Sequence, residues 1–184
     1  MIIFDKDMRM ISKIFIAILI CLSTVQCSAL MEDGSISSYE KATLVRVGDS
    51  APDFTVDMLS GQTLTLSKLQ GQRVLLTFFE TKSPDSRKEL ALLELVQKQL
   101  SEYKCTLLLI ASGEEKRTVE DFIEQRGYTF DVGIDTDKSI FSLYATKYLP
   151  RTFVLDALGR IVAISSDYDQ EELEVLIEII SILL

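Results

Sequence analysis

The stretch that decides the fold is VLLTFFETKSPDSRK, residues 74–88, in which a strongly apolar run is followed by a polar turn. The run VLLTFF (74–79) is typical of a short strand that is buried on both faces. The next segment, from Pro84 to Glu102, predicts a helix with one inward face, because its apolar residues recur at helical spacing. Those residues are Leu90, Leu93, Val96 and Leu100. The sequence therefore predicts a buried strand that passes through a tight turn into an amphipathic helix.

The turn itself has the residues of a good helix start. Ser83 stands at the N-cap position, Pro84 at the first helical position and Asp85 in the first turn. A serine hydroxyl accepts a backbone N–H there, and proline has no N–H to leave unpaired. The carboxylate faces the positive end of the helix dipole. The residues alone thus explain SPDS (83–86) as a helix cap.

Strands and helices alternate on both sides of this stretch. Upstream, two alternating segments around the turn Ser60-Gly61 predict a hairpin. Downstream, apolar runs and helical spacing predict three more strand segments and three helices, closing with a helix over Glu171–Leu184. The segments are Phe54–Val56 and Thr63–Leu66 in the first hairpin, Cys105–Ala111 as a strand, Thr118–Gln125 and Ser139–Tyr144 as short helices, and Thr152–Asp156 with Ile161–Ser165 as a second hairpin. This order predicts an α/β fold with a mixed sheet flanked by helices.

The composition excludes several classes of function. With 184 residues, 47% of them hydrophobic, the chain suits one globular domain plus an N-terminal segment. Its net charge of -9 leaves no electrostatic footprint for nucleic acid. There is no histidine, and the three cysteines are Cys21, Cys27 and Cys105, so we expect neither a Cys/His metal site nor a cofactor.

The first 27 residues predict a secretory signal peptide. An apolar run, Ile14–Val25, follows Arg9 and Lys13 and is too short for a membrane span, which needs roughly 20 residues. Cys27 resembles the acylated cysteine of bacterial lipoproteins, and cleavage after Ala29 is the alternative. We therefore expect an exported protein of the periplasm or cell envelope, anchored to the membrane through Cys27. Residues 28–44 are expected to form a flexible tether, and residues 45–184 the folded domain.

The order of elements and two motifs carry a resemblance to a known family. VGDSAPDF (47–54) and YLPRTFVLDALGRIV (148–162), with the stretch between them, resemble a TlpA/ResA-type thioredoxin-fold protein within the AhpC/TSA (redoxin) superfamily. The resemblance implies a thioredoxin-like fold with an N-terminal β-hairpin extension. It also implies an exported protein that uses a CxxC pair to reduce or exchange disulfides.

Carried over by position, the family's two thiols fall on serines. The CxxC positions are Ser83 and Ser86, and the proline that the family holds in a cis peptide bond falls on Pro150. Thiol–disulfide exchange needs a thiolate and a second thiol, and a hydroxyl forms no bond to sulfur. We therefore expect no catalytic residue in this turn. Ser83 as a hydrolytic nucleophile is disfavoured, because without histidine only Lys82 or Glu80 could act as its base.

Three functions remain open at this stage. The first is a non-catalytic binding or accessory module whose groove accepts an extended polypeptide segment; its lining residues would be Lys82, Pro84, Asp85, Leu149 and Arg151. The second is a thiol–disulfide oxidoreductase or antioxidant redoxin that acts through a non-standard cysteine such as Cys105. The third is a regulator that binds a redox-active paralogue. Cys105 opens an apolar strand and is interpreted as a buried, inert thiol, and Glu114 as one of a run of solvated charges.

Overall fold

The computed structural model describes residues 38–165 and 168–182, which form an α/β fold. The strands of this part of the chain are β1 (Thr55–Met58), β2 (Thr63–Thr65), β3 (Arg73–Phe79), β4 (Cys105–Ser112), β5 (Val132–Asp135), β6 (Arg151–Leu155) and β7 (Ile161–Ser165). The helices are α1 (Ser38–Ala42), α2 (Pro84–Glu102), α3 (Lys116–Arg126) and α4 (Gln170–Ile182). Short 3-10 turns occupy Leu66–Leu69 and Phe141–Leu143.

All seven of these strands join one mixed sheet in the order β2-β1-β5-β4-β3-β6-β7. Strands β3, β4 and β5 are parallel, and they are connected through α2 and α3. The remaining pairings are antiparallel, with the β1–β2 hairpin at one edge and the β6–β7 hairpin at the other. The predicted mixed sheet with its N-terminal hairpin is confirmed.

Strand β3 lies near the middle of the sheet and is buried on both faces, as its apolar run predicts. Leu75 and Phe79 face a core formed with α2, α3 and α4. Leu76 and Phe78 face a second core, where the Phe78 ring lies 5.5 Å from Phe141 and 5.2 Å from Tyr144 between centroids. The three long helices thus cover one face, and the other is covered by short segments.

Strand β5 is absent from the sequence prediction. It has four residues, and one of them is Gly133, a residue type that is depleted in strands. The reason for the glycine lies in the neighbouring strand, because a Cβ at position 133 would lie 2.8 Å from Cγ2 of Val56. Pairing with β4 and β1, and not local propensity, places this segment in the sheet.

One predicted helix is shorter in the structure than its sequence pattern indicates. The helix predicted for Ser139–Tyr144 is reduced to a 3-10 turn over Phe141–Leu143. The carboxylate of Asp135 is buried there and accepts the N–H groups of Ile140 and Phe141, at 3.0 and 2.9 Å. The first N–H groups of a helical turn have no partner within the turn, and here the Asp135 carboxylate accepts them.

The predicted tether over residues 28–44 is wrong in its second half. Helix α1 begins at Ser38, where the compact unit of the chain also begins. Ala42 is buried, Leu44 donates its N–H to Tyr144 O at 2.9 Å, and Thr43 forms a β-bridge with Ala145. These backbone bonds attach the segment to the domain, whose boundary moves from residue 45 to residue 38.

The remaining N-terminal predictions lie outside the described residues. These are the signal peptide over residues 1–27, the lipidated Cys27 and the first part of the tether, residues 28–37. Of the helices that the structure does describe, none is both long and apolar enough to cross a bilayer.

Candidate functional site

The turn after β3 and the loop before β6 meet at the edge of the sheet where strand β3 ends and strand β6 begins. The antiparallel register pairs Phe78 with Arg151, so residues 80–83 lie beside Leu149 and Pro150. The Leu149–Pro150 peptide bond is cis, the isomer that the family resemblance implies at this position. Pro150 is buried and Leu149 is half-buried.

Ser83 caps helix α2, as its sequence position predicts. Its backbone is extended, with φ -69° and ψ 125°, and its Oγ accepts the N–H of Ser86 at 3.2 Å. Pro84 follows in the first turn, where its missing N–H leaves nothing unpaired. Asp85 is paired with Lys88 at 2.8 Å on the exposed side of the helix.

Ser86 is fully buried one turn into the helix and is also bonded to the backbone. Its Oγ accepts the N–H of Glu80 at 3.4 Å. In the described residues neither Ser83 nor Ser86 contacts a carboxylate or an amine that could take its proton. The geometry therefore gives no support to a hydrolytic serine, which needs such a base.

The turn is fixed from both sides by a carboxylate and a guanidinium. Glu114 accepts the N–H of Thr81 at 2.7 Å and its hydroxyl at 2.6 Å. Arg87 Nε donates to the carbonyl of Thr81 at 2.6 Å. The interpretation of Glu114 as a solvated charge is therefore wrong: it holds the turn in place from the loop after β4.

A buried polar chain lies under the turn and was missed by sequence reasoning. The Glu89 side chain of α2 accepts a hydrogen bond from the Thr152 hydroxyl, whose oxygen is 2.8 Å from that of Thr77. All three residues are buried. The available signal was an acidic residue next to Leu90 on the inward face of α2, three residues after Ser86, where an apolar residue is expected.

Four of the five predicted groove residues are at or near the surface. Lys82 and Pro84 are exposed, and Asp85 and Leu149 are half-buried. They come from the turn and the loop that the β3–β6 register brings together. This edge therefore offers both charged and apolar contacts to an incoming chain.

Arg151, the fifth, does not line the groove. It is fully buried, and it lies on the face of the sheet opposite α2, because side chains alternate along β6 and Thr152 faces the helix. Its Nε donates to Tyr148 O at 3.3 Å, Nη2 donates to Tyr39 O at 3.4 Å, and Nη1 donates to the Thr43 hydroxyl. Helix α1 and the residue after it cover this guanidinium.

Cys105 lies at the far end of the sheet from the turn. It pairs with Arg73 at the start of β3, and the parallel β3 reaches the turn only at Phe79. At about 3.3 Å per residue this separation is roughly 20 Å. Burial raises the pKa of the Cys105 thiol to about 11. Such a thiol is protonated at neutral pH and is a poor nucleophile.

Other features of the described residues lie away from the turn. A cavity of about 140 Å³ opens at the opposite end of the sheet, between Asp53, Leu66, Leu155 and Leu158. Both its neighbouring carboxylates, Asp53 and Asp156, already accept backbone N–H groups. Across residues 38–165 and 168–182, His, Cys, Asp and Glu side chains nowhere gather in a group of three able to hold a metal ion.

Comparisons with known proteins agree with this architecture. The model of the AhpC/TSA family matches residues 47–164. The thiol-disulfide oxidoreductase ResA of Geobacillus kaustophilus is 31% identical over 123 residues, which cover 67% of this chain and 71% of that protein. The ResA of Bacillus cereus is 26% identical over 170 residues, or 92% of this chain and 95% of that protein. A solution structure from Bacteroides thetaiotaomicron, described as a candidate protein disulfide isomerase, superposes with a TM-score of 0.73 at 31% identity; the match covers 78% of this chain and 92% of that one.

Proposed function

This chain belongs to the AhpC/TSA family and has a TlpA/ResA-type thioredoxin fold, and we propose that it binds polypeptides without thiol–disulfide chemistry. The observation that carries the proposal is the use of Ser83 and Ser86. They stand where the family's thiols are expected, and their hydroxyls accept the backbone N–H groups of Ser86 and Glu80. The turn still forms a helix start, but oxygen atoms stand at the two positions where a redox couple would need sulfur.

The redox argument depends on the number and position of sulfur atoms. Disulfide exchange needs one thiolate to attack and a second thiol to release the mixed disulfide. Among the residues that the structure describes, the one cysteine is Cys105. It is buried, and it lies the length of a strand away from the turn. An oxidoreductase that works through Cys105 would have to expose a core residue of β4, so we favour binding.

The proposed binding surface is the edge formed by the turn and the loop around Pro150. Lys82 and Pro84 contribute from the turn, and Leu149 contributes from the loop. An extended polypeptide presents side chains alternately, so one of them can pack on the half-buried Leu149 while its neighbour meets the exposed Lys82. The turn is fixed by Glu114 and Arg87, so little conformational entropy is lost when a segment docks on it.

The experiment is a titration with an extended, thiol-free polypeptide, such as reduced and carboxyamidomethylated ribonuclease A. We expect it to shift the backbone amide resonances of residues 80–83, 85–86 and 148–149. Leu149→Asp should weaken binding by about tenfold or more, because it places an unpaired charge in the contact. The matched control is Leu158→Asp, since Leu158 is exposed in the β6–β7 turn at the opposite end of the sheet. Equal binding by both variants, or no binding by the wild type, contradicts the proposal.

We also propose that the protein is exported and lipid-anchored through Cys27. The support is sequence alone, from the short apolar run after basic residues and the position of Cys27. Mass spectrometry of the mature N-terminus tests it: a diacylglyceryl modification on Cys27 is expected. An unmodified chain that begins at Leu30 excludes the anchor.

A further inference from the structure

Arg151 is a buried cation without an anionic partner in the described residues. Its side chain is fully buried, and its three donor nitrogens meet two carbonyl oxygens and a hydroxyl. No carboxylate within 38–165 or 168–182 forms an ion pair with it. Neutral oxygens accept one hydrogen bond from each of its three nitrogens and leave its charge uncompensated, which is a costly arrangement for a buried group.

The two terminal nitrogens of a guanidinium form the fork that binds a carboxylate in a bidentate way. In Arg151 this fork is occupied by a single segment from more than 100 residues away, since Nη1 donates to Thr43 and Nη2 donates to Tyr39. The third nitrogen, Nε, donates to the carbonyl oxygen of Tyr148, in the loop that precedes Arg151. The segment 39–43 therefore lies on the atoms that a carboxylate would use.

The covering segment has the features of an element that opens easily. Helix α1 has five residues, fewer than an isolated helix needs for stability. It is held by the Thr43–Ala145 bridge, by the buried Ala42 and by the Tyr39 ring, 4.5 Å from that of Tyr148. Much of its surface is solvent-exposed, and such elements sit at the low end of local unfolding free energies.

We propose that Arg151 is a carboxylate-binding site that α1 covers, and that an aspartate or glutamate side chain of a bound polypeptide displaces residues 39–43 from it. The inference rests on the proposed function, because the polypeptide would enter beside Pro150, the residue before Arg151. Charge–charge attraction favours the carboxylate over the two neutral oxygens it replaces. Lys147, whose ammonium lies 4.9 Å from the Tyr148 ring centroid, adds positive charge on the same loop.

The test is hydrogen exchange of residues 38–44 in the full chain, at about 0.15 M salt so that long-range repulsion by the acidic protein is screened. The probe is the peptide Gly-Asp-Glu-Asp-Gly, and the matched control peptide is Gly-Asn-Gln-Asn-Gly, both acetylated at the N-terminus and amidated at the C-terminus so that only side chains supply carboxylates. We expect the acidic peptide to raise exchange at residues 38–44 about fivefold or more, and the amide peptide to leave it unchanged. Equal exchange with both peptides at saturating concentration overturns the inference.

Two variants link the effect to the guanidinium fork. Thr43→Val removes the hydroxyl from Nη1, so half of the response should be reached at an acidic-peptide concentration about fivefold lower. Arg151→Gln should abolish the response; if that variant does not fold, the Thr43→Val shift remains the deciding result. No shift in Thr43→Val contradicts the inference. When the acidic peptide has no effect but ribonuclease A still binds in a Leu149-dependent way, only the inference has failed. When ribonuclease A does not bind in this way either, the proposed function has failed.

Discussion

The hydroxyl oxygens of Ser83 and Ser86 both accept backbone N–H groups where strand β3 passes into helix α2. The Ser83 hydroxyl accepts a backbone N–H at 3.2 Å and thereby contributes to the helix start. The same position in a redox-active relative would present a thiolate stabilised by the helix dipole. A hydroxyl oxygen therefore serves as the cap, and under the proposed function it supplies no nucleophile for disulfide exchange.

The cap gives a prediction on stability. Ser83→Ala should lower the free energy of unfolding by about 1 kcal/mol, because the N–H of Ser86 loses its acceptor. Ser83→Asp should retain most of the wild-type value, since a carboxylate also caps. Urea unfolding measures both, with the exposed Ser142→Ala as control. A loss for Ser83→Ala no larger than that for Ser142→Ala contradicts the assignment of the cap.

The buried thiol gives a prediction on pH dependence. With the pKa of Cys105 raised to about 11, its thiolate fraction at pH 8 is more than about a hundredfold below that of an ordinary thiol. The rate of iodoacetamide labelling of native Cys105 should keep rising from pH 8 towards pH 11. In urea it should level off above about pH 9. Mass spectrometry of the Cys105 peptide measures both rates, and equal rates at pH 8 would show that the thiol is accessible and reactive.

Residue-level prediction succeeded where the cause is local. The SPDS cap depends on four consecutive residues, and the sequence was sufficient to predict it. Glu114 and Arg151 were misplaced because their partners, Thr81 and Thr43, are 33 and 108 residues away. A charged side chain has no local signature of a distant hydrogen-bond partner, so sequence favours the solvated interpretation.

Among the elements, α2 was predicted within its full bounds because its apolar spacing and its cap agree. Strand β5 and helix α1 were missed because both are short and depend on tertiary contacts. Four or five residues carry too little periodicity to separate a strand or helix from a loop. Their positions follow from what they pair with: β1 and β4 for β5, and the loop around Tyr144 for α1.

The contact between β5 and β1 predicts a specific packing defect. Gly133→Ala places a methyl group 2.8 Å from Val56 Cγ2 and should lower the free energy of unfolding by about 1–3 kcal/mol. In a Val56→Ala background the same change should cost much less, because the clashing methyl groups are gone. A double-mutant cycle by urea unfolding measures the difference. If the two changes in the free energy of unfolding simply add, a methyl group at position 133 does not clash with Val56.

The attachment of α2 to the sheet predicts a second effect on stability. Thr152→Val removes the hydroxyl that bonds to Glu89 and to Thr77, and should lower the free energy of unfolding by about 1–3 kcal/mol. The control is Thr106→Val, whose hydroxyl bonds to Gln72 at the exposed edge of the fold. Thermal or urea unfolding distinguishes them, and equal losses contradict a structural role for the buried chain of polar groups.

At the scale of the whole molecule, the order of elements was enough to predict a mixed sheet flanked by helices. The edge at which the turn and the Pro150 loop meet follows from the β3–β6 register. The sequence could predict its surface residues but not the burial of Arg151, which depends on α1 folding back over β6. The molecule thus combines a complete family scaffold with a turn that has no sulfur.

The most direct test of this account is a matched redox assay of the wild type and the Ser83→Cys/Ser86→Cys variant. Insulin reduction with dithiothreitol is followed by turbidity, with each single cysteine variant as a control. We predict no turnover above background for the wild type and the single variants, and clear turnover for the double variant, since two thiols at a capped helix start restore the couple. Dithiol-dependent turnover by the wild type, or an inactive but folded double variant, would contradict the claim that the scaffold is intact and only its chemistry is lost.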